Sequence, residues 1–198
     1  MLLYDNPVSG NCYKVRLILG LLGIEFERRQ LSVVDHSDRA GVLGGLSPSL
    51  NVPTVVLEDG RPLAESNAIL WYFADGSRYL PDDPYERAQV LQWMFFEQYS
   101  HEPYIATSRF LLQHRPDTPE RAAALAVRRD GGWAALKVME GQLSKHDFFV
   151  GGYSIADIAL FAYTQVSHEG GFPLDDFPKI RAWMERVMAQ PGFISLMS

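Results

Sequence analysis

An α/β domain followed by an all-helical domain is the fold class this sequence predicts, and three observations predict it. Short elements of mixed type fill the first 75 residues. The stretch GSRYLPDDP at 76–84 is rich in turn formers and has no apolar period. Beyond it, every long segment carries helical apolar spacing and nothing reads as strand for long.

Taken in order, LLYD at 2–5 reads as a strand, residues 11–22 as a helix and FERRQL at 26–31 as a second strand. Residues 32–51 leave room for a further short helix, although their pattern is poor. In TVVLEDGRPLA the pair Asp59-Gly60 lies between apolar runs, a two-residue hairpin signal that pairs 54–58 with 61–64 antiparallel. Residues 65–73 then place Ile69, Leu70 and Phe73 at helical spacing. Strand, helix, strand, hairpin and helix make a three-layer α/β unit. After the turn-rich stretch, helices are expected at 85–112, 119–143, 154–166 and 179–189. Thr118 before Pro119 fits an N-cap with a first-turn proline. Ser154-Ile155-Ala156-Asp157 approaches a capping box. Gly131-Gly132 marks a kink or break in the segment 119–143.

Composition narrows the function classes. The 198 residues are 47% hydrophobic, enough for a sizeable core in one domain or two small ones. A net charge of −6 without a polybasic block disfavours nucleic acid and anionic membrane surfaces as partners. One cysteine excludes a disulfide framework and a cysteine-based zinc site, and suits a reducing compartment. No signal-peptide pattern opens the chain and no run of 18 apolar residues occurs, so the expected location is cytoplasmic.

Three fragments, NPVSGNCYKVRLIL, NVPTVVLEDGRPLAESNAIL and GGYSIADIALFAY, occur in that order and together span the chain. In this they resemble a bacterial cytosolic glutathione S-transferase of serine type or a related one. The resemblance implies a thioredoxin-like glutathione-binding domain at 1–75, a linker at 76–84 and an all-helical substrate and dimerisation domain at 85–198. It also implies glutathione as co-substrate, no metal, and a cytoplasmic homodimer that conjugates glutathione to a small hydrophobic electrophile, a detoxification chemistry.

The residues can be weighed for that chemistry. In NVPT the family has a cis peptide, here Val52-Pro53, which turns the backbone of Val52 outward to pair with glutathione as an added strand would. In AESNAIL, Ser66 and the free amides of a helix N-terminus suit the γ-glutamyl carboxylate, and Glu65 suits its ammonium. The glycyl end meets Asn51 where the family often has Lys or Gln, with His36 the one helper in the preceding loop. The thiol must ionise near neutral pH, and a hydroxyl donor together with the positive end of the 11–22 helix lowers its pKa. Ser9 matches the position of the family's catalytic hydroxyl and also fits an N-cap. Asn11 is the alternative donor. Tyr4 reads as an inward-packing residue. Cys12 completes a Ser-x-x-Cys span where thioredoxins carry Cys-x-x-Cys, but corresponds to the resolving position and reads as a buried packing residue.

For the electrophile, the first long helix offers Tyr104, Ser108 and Arg109 as pocket walls facing the thiol between the domains. WMFFEQY reads as core or subunit seam, and Glu97 matches an acidic residue that in some relatives reaches a partner's γ-glutamyl group. Asp157 is assigned to capping and folding. Two other classes stay open: glutathione-dependent disulfide or peroxide reduction, and a non-catalytic protein-association module.

Overall fold

A computed structural model describes residues 1–197. The chain divides into two compact units, Met1–Ser77 joined by the stretch from Gln190 onward, and Arg78–Ala189.

The first unit runs β1 (Leu2–Asp5), α1 (Gly10–Leu22), β2 (Glu27–Gln30), α2 (Arg39–Leu43), β3 (Thr54–Val56), β4 (Pro62–Ala64) and α3 (Ser66–Ala74). The sheet order is β2-β1-β3-β4, with β1 parallel to β2 and antiparallel to β3. Two-residue alternation along β1 explains the layering. Tyr4 packs with Leu31 and with Leu43 of α2, while Leu3 and Asp5 share the other face, where Asp5 meets Arg16 of α1. α1 and α3 pack on each other. Tyr4 is therefore a core residue, as its neighbours suggest. α1 stops at Gly23, whose φ of +66° suits a residue without a Cβ. The hairpin pairs Val56 with Pro62, and Leu57 N–H donates to Arg61 C=O at 2.9 Å. Its connection is thus three residues, 58–60, one more than the dipeptide signal implies, with Gly60 at φ +84° closing it.

The second unit runs α4 (Pro84–Phe96), a π-helical turn (Glu97–His101), α5 (Glu102–His114), α6 (Pro119–Leu143), α7 (Ile155–Thr164), a 3-10 turn (Ser167–Gly170) and α8 (Pro178–Met188). The single helix expected at 85–112 is interrupted because Pro103 has no N–H to continue the i to i−4 ladder, and the preceding turn widens instead. Gly131-Gly132 does not break α6. The two glycines are where the Tyr104 and Phe172 rings lie on the helix, and a Cβ would meet them at 2.4 and 2.3 Å. α7 is buried along its whole length. At its start Asp157 accepts from Ser154 N–H, Ser154 Oγ, Phe149 N–H and Trp183 Nε1 at 2.9–3.1 Å, completing the capping box.

Placing the helical domain at 85–198 needs one correction. From Gln190 the chain belongs to the first unit, because Tyr13 Oη donates to Ile194 C=O at 2.8 Å and Arg16 donates to Leu196 C=O at 2.6 Å. Periodicity ends with α8 and carries no trace of those bonds. Among the described residues no helix is long and apolar enough to cross a membrane.

Candidate functional site

Ser9 caps α1. Its backbone is extended, and its hydroxyl oxygen accepts from Cys12 N–H at 3.3 Å, one of the four donors a helix start leaves unpaired. Because that oxygen accepts, the Ser9 proton is left to donate. The turn ahead of it is fastened residue by residue. Ser9 N–H donates to Asn6 C=O at 3.2 Å, Val8 N–H to Asn6 Oδ1 at 3.1 Å, and Asn6 Nδ2 to Leu31 C=O at 2.8 Å. Beneath it Arg16, 1% exposed, donates to Asp5 Oδ1, Asn6 C=O, Pro7 C=O and Leu196 C=O at 2.6–3.2 Å. Asp5 is fully buried and also pairs with Arg28 at 2.6 Å, so one carboxylate carries two guanidinium groups.

Cys12 lies inside α1 at 0% exposure. Burial, with the Asp5 charge as a second cause, pushes its thiol from 9.0 up to about 12, against smaller opposing effects from Ser9, Asn6 and Arg16.

Val52-Pro53 is cis. Pro53 is buried and Val52 half-buried ahead of β3, and among the described residues no hydrogen bond engages the N–H or C=O of Val52. An extended peptide would find a donor and an acceptor there.

Asn51 is exposed, and its Oδ1 accepts from Arg39 Nη1 at 3.1 Å. Arg39 was not singled out by sequence reasoning, since α2 has too short a pattern to mark it. It is 4% exposed and also donates to Leu50 C=O at 3.0 Å and Ser32 C=O at 2.6 Å, holding together the 32–51 loop. With Oδ1 engaged, the Asn51 amide nitrogen remains to donate. His36 is turned back on its own loop, its Nε2 3.1 Å from Val33 C=O.

Glu65 and Ser66 open α3. Glu65 is exposed with φ +70°, in the half of conformational space that side chains rarely occupy. Its Oε1 accepts from Ser49 Oγ at 3.4 Å. Ser66 is 6% exposed, and its hydroxyl donates to Asn11 Oδ1 at 3.2 Å across 55 residues of sequence. That bond brings the start of α3 to the start of α1, so two helix N-termini and the Ser9 turn meet at one place.

The three residues expected to wall an electrophile pocket differ in their surroundings within the second unit. Ser108, 1% exposed, lines a cavity of about 440 Å³ with Leu112, Leu125, Arg129 and Phe172. Tyr104 and Arg109 do not line it. Tyr104 lies on Gly131, and Arg109 donates to Glu169 Oε2 at 2.5 Å. Glu97 is 0% exposed within its own chain, which removes it as a group that reaches a partner. Among the described residues no cluster of three or more His, Cys, Asp or Glu side chains could hold a metal ion.

Residues 8–75 match the family model described as glutathione S-transferase, N-terminal domain, and residues 93–191 match the model described as glutathione S-transferase, C-terminal domain. A crystal structure of a glutathione S-transferase from Pseudomonas fluorescens superposes with a TM-score of 0.95 at 46% identity, covering 100% of this chain and 98% of that one. Glutathione S-transferase 2 of Anopheles gambiae is 28% identical over 196 residues, 96% of this chain and 91% of its own. Disulfide-bond oxidoreductase YfcG of Escherichia coli is 28% identical over 199 residues, with the same two coverages.

Proposed function

Since the chain belongs to the glutathione S-transferase family, we propose that this site binds glutathione and stabilises its thiolate for attack on a small hydrophobic electrophile. The observation that carries the reading is the Ser66–Asn11 hydrogen bond, which sets an anion-binding helix start beside the Ser9 turn.

The tripeptide lies along Val52, whose free N–H and C=O pair with its backbone. Its γ-glutamyl carboxylate takes the α3 amides and the Ser66 hydroxyl, whose single proton turns to it from Asn11 Oδ1, and its ammonium takes Glu65. The glycyl carboxylate takes the Asn51 amide, oriented by Arg39. The cysteinyl sulfur then faces the Ser9 turn. A free thiol ionises near 8.5; the Ser9 hydroxyl proton, the amides of α1 and its positive end favour the anion and bring ionisation toward neutral pH. Asn11, beside Ser66, is the second donor through its amide nitrogen. In the reaction the thiolate forms a carbon–sulfur bond to the electrophile as the leaving group departs with its electron pair.

A homodimer in the cytoplasm completes the reading. Phe95 near the end of α4 and Tyr99 in the π-helical turn that follows are 67% and 85% exposed, apolar surface of the kind a subunit seam covers.

The test is Ser9→Ala assayed for aryl-halide conjugation against pH. Losing one donor to a developing anion costs on the order of a hundredfold in kcat/KM at neutral pH, and the deficit shrinks at alkaline pH, where the thiol ionises unaided. Conjugation that is untouched in Ser9→Ala would sink the mechanism.

A further inference from the structure

Resting on the reading of Ser9 as thiolate donor, we infer that Arg16 is a positioning residue that makes the C-terminal segment part of the thiol turn. Three observations carry it. First, the Asn6 carbonyl that fixes the backbone of Ser9 is the one that Arg16 Nη1 takes at 3.2 Å, so the guanidinium and the Ser9 amide share an acceptor. Second, a single nitrogen, Arg16 Nη2, bridges Pro7 C=O at 3.1 Å and Leu196 C=O at 2.6 Å, tying the residue two before Ser9 to one 180 positions from Arg16. Third, the segment carrying Leu196 has an independent anchor on the same helix, Tyr13 Oη to Ile194 C=O, and Gly20 and Gly192 lie where it crosses α1.

The side chain is matched to the task. Only a guanidinium offers enough donors in one rigid plane to hold three carbonyls and a carboxylate together; a lysine ammonium has three donors and no fixed fork. At 1% exposure its charge must be balanced, and Asp5 balances it at 2.6 Å. Arg28 binds the other oxygen of the same carboxylate from β2. The two arginines share an anion, and Arg16 in addition donates to two carbonyls of the turn.

That difference supplies the control. Arg16→Gln, Arg16→Lys and Arg28→Gln are compared with the parent chain for thermal midpoint, glutathione KM, and the pH profile of conjugation. If Arg16 positions the turn, Arg16→Gln moves the acid limb of the profile to higher pH and lowers kcat on the order of tenfold. Glutathione KM then changes less than about threefold, because the tripeptide's other contacts lie elsewhere. Arg16→Lys, keeping charge and one or two bonds, falls between, and it serves if Arg16→Gln does not accumulate. Arg28→Gln lowers the midpoint and leaves the profile in place. A profile unmoved by Arg16→Gln, or moved equally by Arg28→Gln, overturns the inference. Ser9→Ala in the same assay separates the two levels. If Arg16→Gln moves the profile and Ser9→Ala does not, the Ser9 reading falls while Arg16 stands as positioning the turn. If Ser9→Ala moves it and Arg16→Gln does not, only the Arg16 inference falls.

Discussion

Cys12 offers the sharpest division between a bound thiol and a protein thiol as the nucleophile. Its thiol is pushed from 9.0 up to about 12, chiefly by burial. Three units mean about a thousandfold less thiolate at any pH below both values, and the thiolate is the reactive form. Full enclosure in α1 adds a steric barrier. The perturbation is Cys12→Ala, chosen over serine because a hydroxyl at a fully buried position without an assured partner costs about 1–3 kcal/mol. Conjugation and glutathione-dependent disulfide reduction should both stay within about twofold of the parent. In the parent chain, iodoacetamide should alkylate Cys12 about a thousandfold more slowly than in the denatured chain, followed by intact mass. Alkylation of the native chain at a rate near that of the denatured one would refute the reasoning, as would loss of disulfide reduction in Cys12→Ala. Either result would move this protein toward redox chemistry through its own sulfur, despite the Ser9 turn.

Ser66→Ala should raise glutathione KM about tenfold with little change in kcat, since it removes a hydrogen bond to a charged group made in ground and transition states alike; a fall in kcat with KM constant would contradict it. Asp157→Ala should cost about 3–5 kcal/mol in denaturant unfolding, because it strands Trp183 Nε1 and two backbone amides. Burial pushes the Asp157 carboxyl up to about 6. Its native pKa exceeds the unfolded value near 3.9, so its contribution is full at the acid end and is lost as pH rises through 6; Asp157→Asn should remove that decline, read from unfolding curves at several pH values. Phe95→Glu with Tyr99→Glu should shift a sedimenting dimer to monomer, and an unchanged sedimentation coefficient would place the subunit contact elsewhere.

How far the sequence reached depended on the range of the force involved. Caps and turns are local, so Ser9, Ser154, Thr118 and the Asp59-Gly60 hairpin could all be read from neighbouring residues. Helix 119–143 was legible end to end for the same reason. The resemblance supplied what periodicity could not, above all the cis Val52-Pro53 bond and the pairing of that loop with the α3 start. Arg39, Arg16 and the return of residues after 190 to the first unit were not legible. Arg39 and Arg16 act by donating to backbone carbonyls outside their own helices, the residues after 190 by offering carbonyls to Tyr13 and Arg16, and carbonyls are the same at every position. The reading of Gly131-Gly132 failed for a related reason: a glycine can serve a neighbour's ring as well as its own backbone, and only packing distinguishes the two.

Glu65 has a consequence for any attempt to harden this protein. Its φ of +70° holds an exposed side chain in a conformation that costs about 1–3 kcal/mol, which glycine would adopt freely. Selection on heat resistance alone would therefore favour glycine at position 65 and discard the carboxylate proposed to meet the substrate's ammonium. Robustness and recognition compete at that residue, and a library screened only for survival would drift toward chains that fold better and bind glutathione worse.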